Sequence, residues 1–265
     1  MKMELVMADP AGNRTALVLT QVPPQDRGPF AARLMELPEL GAEQVGFVLP
    51  PPSGGLFRLE MMGGEFCGNA ARSFGLYVAR KLGRTGKLLV EVSGSDAPVP
   101  VEADPLGGTA LVQVPGPWDL VSLPVPGMGE LPAVRMPGIA HLLVPLEPGE
   151  EPPRSARVRE LLELARGAFG GPAIGALFLD PLAPRLTPVV WVRGTDTTVW
   201  ESSCASGTAA AALWLCRELE TGERTFSFRQ PGGVVLARVS KKGGKVDAVP
   251  IGGPVLLEPP VVVTL

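Results

Sequence analysis

The chain has 265 residues, 45% of them hydrophobic and 5% aromatic, and a formal charge of −3. This length accommodates one large domain or two compact ones, and the low aromatic content with abundant turns favours two. Charges of both signs are interspersed, so there is no basic field for nucleic acid, no Lys/Arg run for a membrane surface and no apolar stretch long enough to span a bilayer.

The segment from Met1 to Pro10 lacks the apolar core of a secretory signal, so a cytoplasmic location is the default expectation. Three cysteines make no disulfide framework, and a reducing compartment keeps them as thiols. With a single histidine, His141, and no Cys-x-x-Cys pair, no metal is expected. The 30 prolines and 33 glycines punctuate apolar segments and read as turns.

In chain order, a strand at 13–19 follows Gly12, then a helix at 29–37 and a strand at 45–49. Glu65-Phe66-Cys67-Gly68-Asn69-Ala70-Ala71 opens a second helix, closed by Arg80, Lys81 and Gly83. Strands at 88–92 and 99–102 form a hairpin, and Val114-Pro115-Gly116-Pro117 ends the half. The Pro-rich stretch 123–135 is read as the boundary, dividing 1–125 from 126–265. Beyond it come a strand at 141–144, a helix at 158–169 and a strand at 174–179. Ser202-Ser203-Cys204-Ala205-Ser206-Gly207-Thr208 then opens a helix closed near Gly222, followed by strands at 225–228 and 234–239 and by Ile251-Gly252-Gly253-Pro254.

The second half repeats the first at the one offset that separates Cys67 from Cys204, close to half the chain. The common order is strand, helix, strand, strand, cysteine helix, hairpin, strand. It predicts an α+β fold of two pseudo-symmetric domains, each a curved, mostly antiparallel sheet wrapped around a central helix that carries the cysteine, with the active site in the cleft between them.

A cysteine at a helix N-terminus meets free N–H groups and the positive end of the dipole, which lower the thiol from its ordinary value of about 8.5. Two cysteines placed equivalently suit a reaction that removes a proton from one face of a carbon and returns one to the other: a thiolate takes, a thiol gives. The backbone amides that follow, at Gly68 and Ala205, would hold a substrate carboxylate and the charge that develops as the α-proton leaves. Cys216, among Leu213, Trp214 and Leu215, reads as core.

Gly12-Asn13, Gln44 before an apolar strand, Cys67-Gly68-Asn69-Ala70-Ala71-Arg72, Gly138-x-x-His141 and Cys204-x-Ser206-Gly207 occur in this order across the whole chain. The set resembles the motif series of the diaminopimelate epimerase family, cofactor-independent racemases and epimerases with two cysteines. The resemblance implies that fold, no cofactor, an amino acid as the small-molecule partner, and Cys67 and Cys204 as the two bases. It further implies Asn13, Gln44, Gly68 and Asn69 as binding residues of the first half, with Ala205 and Ser206 in the second. A homodimer is compatible with the chain, whose sequence does not fix the oligomeric state. His141 stands at the motif's histidine and serves either the active site or the packing of its strand; Asn69 either binds or caps.

The departures bear on the substrate. Gly138-Ile139-Ala140-His141 lacks the Asn found there in diaminopimelate epimerases, and Thr197-Thr198-Val199-Trp200-Glu201 replaces a Glu-Arg pair. Met62-Gly63-Gly64-Glu65-Phe66-Cys67 and Glu201-Ser202-Ser203-Cys204 are more similar to histidine racemases of opine-type metallophore pathways. In that form Glu65 and Glu201 meet the substrate's ammonium or side chain, or else act as helix-entry carboxylates. The alternatives are a diaminopimelate epimerase, or a non-racemising isomerase or amino-acid-binding relative of the same fold, which would lack one sulfur. A pyridoxal phosphate racemase has no Schiff-base lysine setting or phosphate loop in this sequence. Specificity is expected from loops around Ile139, Thr187, Trp191 and Trp200.

Overall fold

The computed structural model describes residues 1–52 and 55–265. The chain divides into two compact units, Met1–Gln113 with Gly252–Leu265, and Val114–Ile251. The first begins with β1 (Lys2–Asp9), β2 (Thr15–Val18), α1 (Arg27–Met35), β3 (Gln44–Leu49) and β4 (Arg58–Met61). It continues with α2 (Gly68–Leu82), β5 (Gly86–Val92), β6 (Val99–Asp104) and β7 (Thr109–Gln113). The second runs through β8 (Asp119–Val125), β9 (Gly129–Met136), β10 (Ile139–Pro145), α3 (Ser155–Phe169), β11 (Ala173–Asp180), β12 (Arg185–Val192) and β13 (Thr197–Trp200). It then holds α4 (Ala205–Leu215), β14 (Gly222–Gln230), β15 (Gly233–Lys242) and β16 (Lys245–Ala248). After β17 (Pro250–Pro254), β18 (Leu256–Leu257) and β19 (Val261–Thr264) return to the first unit, where both pair with β1.

In the first unit β19, β1 and β2 are successive antiparallel neighbours, β2 runs parallel to β3, β3 antiparallel to β4, β4 parallel to β5, and β5, β6 and β7 antiparallel again. In the second, β8, β9 and β10 are antiparallel, β10 is parallel to β11, β11 antiparallel to β12, β12 parallel to β14, and β14, β15 and β16 antiparallel. The order of parallel and antiparallel partners is the same in both. This is a sheet-dominated α+β fold with few helices.

Each unit holds a helix that the sheet strands contact from several sides. Helix α2 packs on β1, β5, β6 and β7, and α4 on β9, β10, β11 and β15. Their composition permits such enclosure. Gly75 lies so close to β6 that a Cβ there would sit 2.4 Å from Val101 Cγ1, and Ala209 to Ala212 give α4 a narrow profile. The other two helices are one-sided. Helix α3 buries Val158, Leu161, Leu162 and Ala165, the i, i+3, i+4, i+7 stripe of a surface helix, against a core that includes Leu142, Phe178 and Trp191. Helix α1 buries Ala31 and Leu34 against Met3, Leu5 and Phe47.

Three expectations change. The Pro-rich stretch 123–135 is no linker: it lies within the hairpin of β8 and β9, where Pro124 faces Glu130 and Ser122 faces Pro132. The division between the units consequently falls at Gln113 rather than near 125, and the C-terminal strands belong to the first unit. Gly83 does end α2 in the left-handed conformation, φ 61°, but α4 stops at Leu215, well before Gly222. Backbone N–H groups at Cys216 and Arg217 satisfy Ala212, Leu213 and Trp214 O, and the two carbonyls just past the helix accept from the buried Lys241, whose Nζ donates to Cys216 O at 3.1 Å and Arg217 O at 3.0 Å. An ammonium thus sits at the negative end of the helix dipole.

Candidate functional site

Cys67 is the N-cap of α2 with φ −119° and ψ 112°, and its Sγ accepts a hydrogen bond from Ala70 N at 3.5 Å. Cys204 is the N-cap of α4 with φ −125° and ψ 113°, and its Sγ accepts from Gly207 N at 3.4 Å. Each sulfur thus takes the place of the Ser, Asp or Asn oxygen that ordinarily satisfies a free N–H of the first turn. Cys67 is half-buried, whereas Cys204 is 6% exposed. Cys216 is also buried, at the end of α4.

In the first unit Asn13, Gln44 and Asn69 come together around one oxygen. Asn13 Oδ1 accepts from Gln44 Nε2 at 2.7 Å and from Asn69 Nδ2 at 3.3 Å, while Asn13 Nδ2 donates to Glu43 Oε2 at 3.1 Å. Gln44 also donates to Thr15 Oγ1 at 2.9 Å, across the β2–β3 pairing that sets these residues side by side. The cap of α2 is Cys67, so Asn69 does not cap; it is 1% exposed and accepts from Arg72 Nε at 3.1 Å. Gly68 is the buried first residue of α2, and Glu65 is exposed in the loop before it.

Arg72, which the motif contained but to which no role was given, is fully buried. Its guanidinium also donates to Gly253 O, Pro254 O and Pro10 O at 3.3, 3.0 and 2.9 Å. Burial lowers its pKa to about 10, against the opposing pull of Cys67 and Asp9, so it remains a cation at neutral pH. A positive charge is therefore held near Cys67.

In the second unit His141, Cys204, Ala205 and Ser206 cluster. Ser206 Oγ lies 2.9 Å from His141 Nε2 and 3.5 Å from Cys204 Sγ. Ala205, 6% exposed, is the first residue of α4. His141 is fully buried on β10, and burial lowers its pKa to about 3, so the imidazole is neutral throughout the physiological range.

The lowered thiol expected from a helix N-terminus is not what Cys204 has. Burial pushes it well above the ordinary value, and the charge and hydrogen bond of Glu201 push the same way; the Ser206 hydroxyl and Gly207 N–H pull it down but are outweighed. At rest Cys204 is a thiol. Glu201, half-buried just after β13, is near enough to act on the sulfur itself.

Two polar residues escaped sequence reasoning. Gln230 Oε1 accepts from Cys204 N at 2.9 Å, and its Nε2 donates to Thr208 Oγ1 at 2.7 Å, which in turn donates to Cys204 O at 2.6 Å. This ring pins the cysteine backbone. Ser93 ties the other loop: its Oγ donates to Glu65 O at 2.9 Å and accepts from Met61 N at 2.9 Å. Next to it Gly94, φ 72°, approaches so closely that a Cβ would be 2.1 Å from Phe66 N. Ser93 and Gln230 are separated by the same offset as the cysteines, which is the signal that could have found them. Ile139, Thr187, Trp191 and Trp200 lie in strands rather than loops. Trp191 is core, with its Nε1 donating to Asp196 Oδ1 at 2.8 Å, whereas Trp200 is 46% exposed and stacks on Phe178.

The family model for the histidine racemase CntK N-terminal domain matches residues 2–258. The chain belongs to the histidine racemase family. It is 25% identical to a histidine racemase of Staphylococcus aureus over 86% of this chain and 85% of the relative. It is 28% identical to one of Fusobacterium nucleatum over 80% and 81%. Among solved structures, a predicted epimerase from Pseudomonas aeruginosa superposes with a TM-score of 0.71 at 14% identity, covering all of both chains, a likeness of fold. Membership of this family makes the chain an isomerase of the racemase type. Among the described residues no helix is long and apolar enough to cross a membrane.

Proposed function

We propose that the chain interconverts L- and D-histidine by a two-base mechanism without a cofactor, with Cys67 and Cys204 acting on opposite faces of the substrate Cα. The observation that carries this reading is the pair of cysteine N-caps, alike in backbone angles and in the amide that each sulfur accepts from. The shared order of strand pairing supports an internal duplication, one domain per unit and one sulfur per domain.

The surroundings of the two sulfurs differ in charge, and this supports different resting states. Cys67 has the buried Arg72 cation near it, whereas Cys204 has Glu201 near it, which favours a thiol. In one direction Cys67 takes the α-proton and Cys204 gives its own to the other face. The reverse reaction then starts from the opposite protonation pattern. The first-turn amides of α2 and α4 are suited to the substrate carboxylate and to the charge that builds on it in the transition state. Asn13, Gln44 and Asn69 hold one another in a fixed polar cluster suited to positioning, and Glu65, Glu201 and Trp200 are candidates for the ammonium and imidazole. Three free thiols suit a reducing cytoplasm.

The test is a panel of L-amino acids, histidine and diaminopimelate included, followed by optical rotation without added cofactor. Rotation is expected to decay with histidine; decay with diaminopimelate alone would refute the substrate, and decay with none would refute the reaction.

A further inference from the structure

His141 is the chain's only histidine, and its two ring nitrogens have very different surroundings. Nε2 faces Ser206 Oγ at 2.9 Å. Nδ1 is buried and, among the described residues, has no hydrogen-bond partner. On that side the ring lies against the backbone of Gly175, its register partner on β11, so closely that a Cβ there would sit 2.1 Å from Nδ1. No room is left for a side-chain acceptor at that position.

This asymmetry selects a tautomer. A proton on Nδ1 would be a buried N–H with no acceptor, the arrangement that folded proteins most strongly avoid; an unused lone pair costs less. The proton therefore resides on Nε2, which donates to Ser206 Oγ. With that oxygen engaged as acceptor, the hydroxyl has its own proton to place, and Cys204 Sγ at 3.5 Å is within reach as an acceptor.

We propose that His141 is a positioning residue for the racemase reaction: by donating from Nε2 to Ser206, it turns the Ser206 hydroxyl proton towards the Cys204 sulfur. The proposal rests on the reading of Cys204 as one of the two bases. When Cys204 releases its proton to the substrate carbanion, the sulfur gains a charge in a site that disfavours it, and the oriented hydroxyl supplies a hydrogen bond without having to reorganise. The downward pull of Ser206 on the Cys204 thiol accords with a hydroxyl that donates to the ionised sulfur. His141 itself exchanges no proton in turnover, and a neutral ring with one fixed tautomer is what this role requires.

The direct test is long-range proton–nitrogen NMR of the full-length protein labelled with 15N-histidine, where one imidazole gives one pair of nitrogen resonances. Nε2 is expected to be the protonated nitrogen and Nδ1 the bare one; a proton on Nδ1, or an imidazolium, would overturn the proposal. The kinetic arm compares variants. Ser206→Ala and His141→Leu should each lower kcat about tenfold with little change in KM, and the double variant should lose no more than either alone. His141→Gln, which can present an amide N–H where Nε2 stood, should recover most of the rate. Full activity in Ser206→Ala, or additive losses in the double variant, would also overturn it. If no amino acid is turned over by the unmodified protein, the racemase reading fails and the NMR result decides the tautomer by itself.

Discussion

The buried neutral imidazole makes acid stability a quantitative probe of the second unit. In the unfolded chain His141 titrates near its ordinary value of about 6.5, and in the fold near 3. A pKa lowered by folding contributes stability that is fully present above about 6.5 and is lost as the pH falls towards the folded value, because the unfolded state binds the extra proton. Between pH 7 and pH 5 this linkage removes about 2 kcal/mol, and any folded value below about 4 gives nearly the same figure. Ordinary carboxylates, near 4, contribute little in that window. Urea unfolding at pH 7 and pH 5 is the assay, applied to the wild type and to His141→Gln, which cannot titrate. The wild type should lose about 2 kcal/mol more on acidification than the variant. Equal losses would refute the reasoning, since they would mean that His141 is charged at pH 5 in the folded protein.

Other outcomes follow from the same contacts. Cys67→Ser and Cys204→Ser should each abolish racemisation as measured by chiral chromatography, whereas Cys216→Ser should keep turnover near the wild-type rate and lower the thermal midpoint. Arg72→Met removes four hydrogen bonds, three of them buried, and should cost about 3 kcal/mol or more in urea unfolding. Gly75→Ala gains helix propensity, yet drives a methyl into Val101, and should destabilise by about 1–3 kcal/mol in the same assay.

Much of this was legible because the signals are local. A cysteine followed by small residues rich in Ala suits the start of a closely packed helix, and the structure caps α2 and α4 with Cys67 and Cys204. Asn13, Gln44 and Asn69 were legible through motif order, and meet because β2 and β3 run parallel in the register that pairs Thr15 with Gln44. What was missed depends on partners far along the chain. The end of α4 is hard to read locally because the carbonyls that follow it, at Cys216 and Arg217, are met by Lys241, two strands later. The hairpin of β8 and β9 read as a linker because its prolines suggest one, although hairpin edges tolerate them. The helix N-terminus predicted a lowered Cys204 thiol; burial and Glu201 reversed the sign, and neither can be weighed without a fold. Ser93 and Gln230 hold the cysteine loops through hydrogen bonds that no short motif encodes.

The measurement that bears most directly on the two-base account is turnover of L-histidine in deuterated water, followed by mass and chiral analysis at early times. The account predicts D-histidine carrying deuterium at Cα from the first turnovers, while the remaining L-histidine is still protiated. Deuterium entering L-histidine as fast as D-histidine appears would indicate a single base, and no deuterium in either would contradict proton transfer at Cα altogether.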